Sequence, residues 1–292
     1  MESHNQDTGA RLAWIRQTVR DFWADSPHNT LGPDSDEKAW DEPLLAFSRG
    51  DDPFYDRIKA DLGDFTWTPA DAFRLAYPDE PAEAEELTVI TWVLPQTAAT
   101  KQEQRRETTL PGRRWSRSRF YGEQFNCELR LHLAGRLTET GIAALAPERL
   151  PAFGYRRSKT FGLASNWSER HAAFIAGLGT FGLSDGLITP RGKAVRIGSV
   201  VARLDLPATP RPYQSHQQWC LWYARGTCGV CIKRCPADAI NREGHDKDRC
   251  HDYIRAVTAP HARQHYGVEA TPCGLCQCAV PCESRNPTEN LK

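Results

Sequence analysis

The residues whose types and spacing could do chemistry are cysteines. The chain has ten, and nine of them lie in the 63 residues from Cys220 to Cys282, with Cys127 alone upstream. Residues 220–236 read CLWYARGTCGVCIKRCP, a C-x7-C-x2-C-x3-C-P pattern, and residues 273–282 read CGLCQCAVPC, with Cys250 between them in DRCHDY. Close thiolate pairs let one loop wrap several corners of an iron–sulfur cubane, and a distant cysteine completes it. In two-cluster ferredoxins the last cysteine of the leading run ligates the other cluster. The spacing therefore predicts two 4Fe–4S clusters, one on Cys220, Cys228, Cys231 and Cys282, the other on Cys235, Cys250, Cys273 and Cys276. Cys278 stands only two residues after Cys276, too little backbone to reach a second cluster, so Cys282 is the expected ligand.

The competing readings are zinc and disulfides. Two zinc sites could use eight cysteines in pairs, but C-x2-C-x3-C-P lacks the longer spacer that separates zinc-binding pairs. Disulfide frameworks spread their cysteines and accompany a secretory signal. Here the cysteines are crowded, and the first residues, MESHNQDTGARLAWIRQ, lack a basic start followed by an apolar core. No run approaches the roughly 18 apolar residues of a membrane span. A cytoplasmic, reducing setting is the expectation, with no membrane partner. His245, His251, His261 and His265 read as surface or core residues, since thiolates suffice.

The elements that must position these cysteines can be read more coarsely. The chain is 292 residues long, which suggests about two domains. Its 37 basic and 37 acidic residues cancel, which argues against broad nucleic-acid binding. The total hides an acidic stretch, 18 acids against 5 bases over 21–89, and a basic one, seven against two over 101–119. The latter, with Arg113, Arg114, Arg117 and Arg119 around Trp115, reads first as a surface loop and more sharply as a site for an anionic substrate or partner. Residues 1–9 read as loose, 11–23 as an amphipathic helix and 25–86 as packed and loop-rich. LTVITWVLP (87–95) reads as a buried strand, 121–140 as a helix, and AVRIGSVVARL (194–204) as another strand. Residues 205–219 hold three prolines and read as a linker. The expected fold class is α/β (α+β) over 1–210, a cofactor or substrate domain, with a smaller cysteine domain over 211–292.

GLGTFG (177–182) matches a dinucleotide fingerprint, but the preceding segment reads as a helix capped by Asn166 with Glu169 as its box partner, so a nicotinamide site is not expected. The glycines instead suit a close backbone approach. Glu169 and Arg170 read as helix caps and braces. Tyr155, among Arg156, Arg157 and Lys159, is a weak candidate proton donor and more simply a surface residue.

CGVCIKRCP, DRC and CGLC together resemble the C-terminal part of epoxyqueuosine reductase, a family related to the cobalamin-dependent reductive dehalogenases. ERHAAFIAGLGTFGLSDGLITPRGKAVRIGSVV (169–201) is similar to the segment around that family's cobalamin pocket. The resemblance implies an α/β domain holding cobalamin against a bicluster ferredoxin-like domain. Reduced ferredoxin or flavodoxin would feed electrons through the clusters to the cofactor. By position, Leu187, Gly198 and Arg249 would line the corrin. The chain departs from the family where Arg225 holds the place of the first cysteine, so that Cys220 must substitute, and where Leu163 holds the place of the acidic proton donor. These departures make tRNA a doubtful substrate and leave a small-molecule or nucleoside-type one. The function expected is an iron–sulfur oxidoreductase. The alternative is a non-catalytic, ferredoxin-type electron carrier for a partner enzyme, and a cluster-based sensor ranks last.

Overall fold

The computed structural model describes residues 2–289. Helix α1 (Glu2–Asp25) precedes strand β1 (Leu44–Arg49), helices α2 (Pro53–Leu62) and α3 (Pro69–Ala76), and strand β2 (Leu87–Pro95). Helices α4 (Ala98–Arg106) and α5 (Arg113–Glu139) follow, then β3 (Ala144–Leu145) and the hairpin β4 (Tyr155–Ser158) and β5 (Gly162–Ser165). Next come α6 (Glu169–Ile175), the small pair β6 (Thr180–Phe181) and β7 (Leu187–Ile188), and the long β8 (Val195–Arg203). Only short helices follow: α7 (Leu221–Arg225), α8 (Val230–Arg234), α9 (Lys247–Tyr253) and α10 (Ala259–Tyr266).

The main sheet is antiparallel in the order β1-β2-β8-β3. An antiparallel sheet usually wets one face and alternates apolar with polar residues. Here both faces are covered. Val89, Val93, Ile197 and Val201 face a core with Trp167, Phe174 and Ile175 from α6 and its approach. Ile90, Trp92, Leu94 and Val200 face the other, built on Ile15 and Val19 of α1 and Phe125, Leu129, Leu133 and Leu137 of α5. This is why 87–95 is mostly apolar, with only Thr88 and Thr91 polar, and every residue of β2 is buried. The fold is a mixed, α+β arrangement.

Several expectations change. Helix α1 starts at Glu2, so residues 2–9 are helical rather than loose. The acidic stretch contains β1, α2 and α3 as well as loops. The basic stretch is not a loop: Thr97 caps α4, accepting from the Thr100 amide, and α5 begins at Arg113. Residues 205–219 contain no helix or strand, yet they are pinned to the sheet domain. The Thr209 amide donates to the Phe47 carbonyl at 2.8 Å, and Arg211 pairs with Asp52 at 2.6 Å.

Helix α6 does precede the GLGTFG motif and ends before Gly177, whose φ is +88°. A Cβ at Gly179 would fall 2.2 Å from the Ile188 carbonyl oxygen, so the motif's glycine serves a strand contact. The helix cap is Ser168, not Asn166. Asn166 instead accepts from the Gly154 amide at 3.1 Å and donates to the Ala152 carbonyl at 2.8 Å.

Candidate metal centre and buried charge network

The C-terminal cysteines sit at ends and turns of short helices, where backbone direction changes and one loop can present several thiols. Cys220 is the N-cap of α7, Cys231 lies within α8, Cys235 is its C-cap, and Cys250 lies in α9. Cys276 sits in the single 3-10 turn Leu275–Gln277.

Cys220, Cys228, Cys231 and Cys282 line one small cavity, walled by apolar groups that include Leu183, Trp222 and Val280. Burial pushes the Cys231 thiol up to about 11, with the neighbouring Cys276, Cys282 and Cys220 adding to the shift. Burial likewise pushes Cys250 and Cys273 up to about 12, and each feels Cys276 and Cys235. Cys220, Cys228, Cys231 and Cys282 thus share one cavity, while Cys235, Cys250, Cys273 and Cys276 affect one another, and Cys276 also acts on Cys231, so the two groups adjoin. Cys278 is fully buried, and its thiol is raised by burial and by Glu283; the cations it feels are Arg234, Arg105 and Lys101. Among the described residues, no three His, Cys, Asp or Glu side chains converge closely enough to hold a single metal ion.

One buried cation lies beside the cysteine cavity. Lys193 is 2% exposed, lines the cavity and donates to the Ser184 hydroxyl at 2.9 Å. Its backbone amide donates to the Cys282 carbonyl at 2.8 Å. The preceding Gly192 has φ +80°, and a Cβ there would fall 2.2 Å from the Glu283 carbonyl oxygen, so this approach of the tail requires glycine. Glu283 in turn accepts from Arg105 of α4 through both carboxylate oxygens, and from the Ala279 amide at 2.7 Å. The tail carrying Cys282 is therefore clamped between β8's approach and α4.

The structure places the positions carried over for a corrin as follows. Gly198 is in the middle of β8, and its open face is filled by Trp92 and Asn126, each within 2.7 Å of where a Cβ would stand. Leu187 is 2% exposed in the core. Arg249 is exposed in the first turn of α9, and its amide is held by the Asp246 cap at 3.0 Å. None of the three lines either of the two cavities described here.

The sequence reading missed a charge network buried under α5. Arg130 is 0% exposed and meets three carboxylates: Glu123 at 3.2 Å, Glu169 at 3.2 Å, and Glu148. Glu123 also pairs with Arg196 of β8. Burial would raise the Glu123 carboxyl, but Arg196, Arg130 and Arg119 outweigh it and hold it down to about 2. Glu169 is raised instead, because its burial outweighs the pull of Arg130. Glu169 thus stands in the first turn of α6 and ties that helix to Arg130 of α5. A signal was present: Arg130 and Cys127 flank Leu129 on the helix that buries Phe125, Leu129 and Leu133, where an arginine needs a partner.

Of the basic stretch, Arg114 pairs with Glu37 at 2.7 Å, Arg117 with Asp34, and Arg113 with Asp34 at 3.8 Å. These are internal ties. Arg119 alone of the four lines a wider cavity of about 1060 Å³, shared with Glu123, Cys127, Glu128, Arg149 and Arg263. Tyr155, 59% exposed on β4, is near enough to Arg119 for the two to interact electrostatically.

No protein-family model matches the chain, and no curated protein matches it. Solved structures do. A catabolic reductive dehalogenase in complex with 3-bromo-4-hydroxybenzoic acid is 16% identical, with a TM-score of 0.52 over 84% of this chain and 30% of that one. The chain shares that fold. An epoxyqueuosine reductase solved with an epoxyqueuosine-modified tRNA stem loop is 18% identical, covering 82% of this chain and 61% of that chain at a TM-score of 0.47. The Bacillus subtilis epoxyqueuosine reductase covers 84% and 62%, at 17% identity and a TM-score of 0.47. The suspected relatives are therefore the structural neighbours, although the chain spans less than two thirds of the length of each. The expectation against tRNA gains no support from them. Among the described residues, no helix is long and apolar enough to cross a membrane.

Proposed function

We propose that this chain is an iron–sulfur oxidoreductase of the reductase kind, built from a sheet domain over 1–210 and a ferredoxin-like cysteine domain over 211–292. The observation that carries the reading is the convergence of four cysteines, Cys220, Cys228, Cys231 and Cys282, on one apolar cavity beside Lys193. Cys220, Cys228, Cys231 and Cys282 would hold one 4Fe–4S cluster, and Cys235, Cys250, Cys273 and Cys276 the other. When bound, such clusters supply one-electron transfer at low potential. The four thiols of the first set stand around an apolar cavity rather than collapsing onto a point, which suits a polynuclear core better than one zinc ion.

The protein's own groups serve the rest of the reaction. The apolar walls of the cysteine cavity exclude water from the metal site. The wide cavity beside Arg119 and Arg149 can seat a small-molecule or nucleoside-type substrate, and the buried network behind it orients Arg196 and Glu123. A simple electron carrier has no use for that cavity. Reduced ferredoxin or flavodoxin is the donor class that matches such clusters. Cobalamin rests on the resemblance alone, and no step is assigned to it, since Gly198 and Leu187 are sealed in the core.

The test is iron, zinc, sulfide and corrin analysis of anaerobically purified protein, with electron paramagnetic resonance after reduction. About eight irons and eight sulfides per chain are expected for two 4Fe–4S clusters. Stoichiometric zinc without sulfide would overturn the reading.

A further inference from the structure

Lys193 lies beside the cysteine cavity, inside the protein. Its ammonium interacts with the thiol positions of Cys282, Cys276, Cys231 and Cys220, three from the first set and one from the second. It lines the cavity of the first set, is almost fully excluded from water, and is held by Ser184 at 2.9 Å. The structure gives it no carboxylate within ion-pair distance among the described residues, although buried lysines are normally paired with one.

An unpaired buried cation surrounded by thiols makes sense when the thiols carry a net negative metal centre. We propose that Lys193 is a fixed counter-charge that sets the reduction potential of the first cluster and, more weakly, of the second. The inference deepens the iron–sulfur reading above and rests on it. One-electron reduction adds one negative charge to a cluster. The electron comes from a low-potential one-electron carrier of the ferredoxin or flavodoxin class, and no bond forms or breaks in the protein. Lys193 stays protonated and stabilises the more negative, reduced state. Net charge and nearby hydrogen bonds are among the levers that tune such potentials, and a charge acts strongly where the medium is of low dielectric.

Ser184 positions the ammonium. The amide of residue 193 does a separate task by holding the Cys282 carbonyl, and no side-chain substitution removes it. Charge and architecture can therefore be separated by experiment.

The experiment is a potentiometric titration followed by electron paramagnetic resonance on anaerobic holoprotein of the wild type, Lys193→Met, Lys193→Gln, Lys193→Arg and Ser184→Ala, each with its iron count. In Lys193→Met the higher-affected cluster is expected to become reducible only at more negative potential, while the other moves less. Lys193→Arg should stay close to wild type, because it keeps the charge. Ser184→Ala should move both clusters, because the Ser184 hydroxyl also bonds the Cys276 thiol, so Lys193→Gln, which removes the charge but keeps a polar side chain, decides the matter by the same negative shift should Lys193→Met fail to take up iron. Unmoved potentials in a fully loaded Lys193→Met protein would overturn the proposal. So would an arginine variant that shifts as far as the methionine one. A wild type that binds no iron would instead remove the function reading itself, a separate outcome visible in the metal count.

Discussion

The amide of Lys193 donates to the carbonyl of Cys282 at 2.8 Å, and Cys282, not Cys278, lines the cavity of the first thiol set. The tail meets the cavity at Cys282, while Cys278 turns into a separate pocket with Trp115 and Ala194. The prediction is that Cys278→Ser retains about eight irons and Cys282→Ser keeps about four, for two four-iron sites. Iron and sulfide analysis checks it, and a loss of four irons in Cys278→Ser would reverse the assignment.

The clamp behind that tail is Glu283, 4% exposed and bound by Arg105 and the Ala279 amide. Glu283→Ala leaves Arg105 free to turn to solvent but releases residues 279–283. The expected result is faster iron loss to a chelator from the first cluster, with the second unchanged. Stopped-flow bleaching in the presence of a ferrous chelator reads the two phases. Equal acceleration of both would show that Glu283 supports the whole cysteine domain instead.

Arg130 is the single cation that meets Glu123, Glu148 and Glu169 together. Removing one partner of a buried ion cluster leaves uncompensated charge and costs about 3–5 kcal/mol. Arg130→Met should therefore lower stability by roughly that amount, and adding Glu169→Gln should recover part of it by removing a carboxylate that burial already disfavours. Thermal unfolding of the single and double variants checks this. A double variant no more stable than the single one would show that the loss comes from packing.

The two long strands were legible because their signal is local: runs rich in apolar and β-branched residues in 87–95 and 195–201. Helix α4 was not, since its KQEQRR core has no apolar stripe. It is held by polar burial instead: Gln104 is 0% exposed, donates to the Cys273 carbonyl at 2.7 Å and accepts from the Gly112 amide at 2.8 Å. The Arg130 network was hidden for a related reason. Pattern reading assigns charged helix residues to solvent, and only the fold brings residues 123, 148, 169 and 196 to one place. Nothing in the sequence around Lys193 marks it as buried, because Ser184, Cys282 and the apolar walls that enclose it come from separate stretches of the chain.

The last prediction concerns pH. His171 bonds to the Ser168 hydroxyl at 2.8 Å and packs its ring against Phe181, with centroids 5.1 Å apart. Burial first, and then Arg170 and Lys247, depress its pKa to about 3. The unfolded chain takes up this proton near pH 6.5 and the folded one does not, so His171 contributes stability above that pH which is lost as the pH falls. Glu169 works in the opposite direction, since its raised carboxyl binds a proton in the folded state before it does so in the unfolded one. The difference between wild type and a His171→Gln variant isolates the histidine. Between pH 7.5 and 5.5 the wild type should lose stability relative to the variant by up to about 1.4 kcal/mol per pH unit, the value of one proton. Melting temperatures of both proteins at several pH values measure it, and parallel curves would mean that the ring protonates freely in the folded protein.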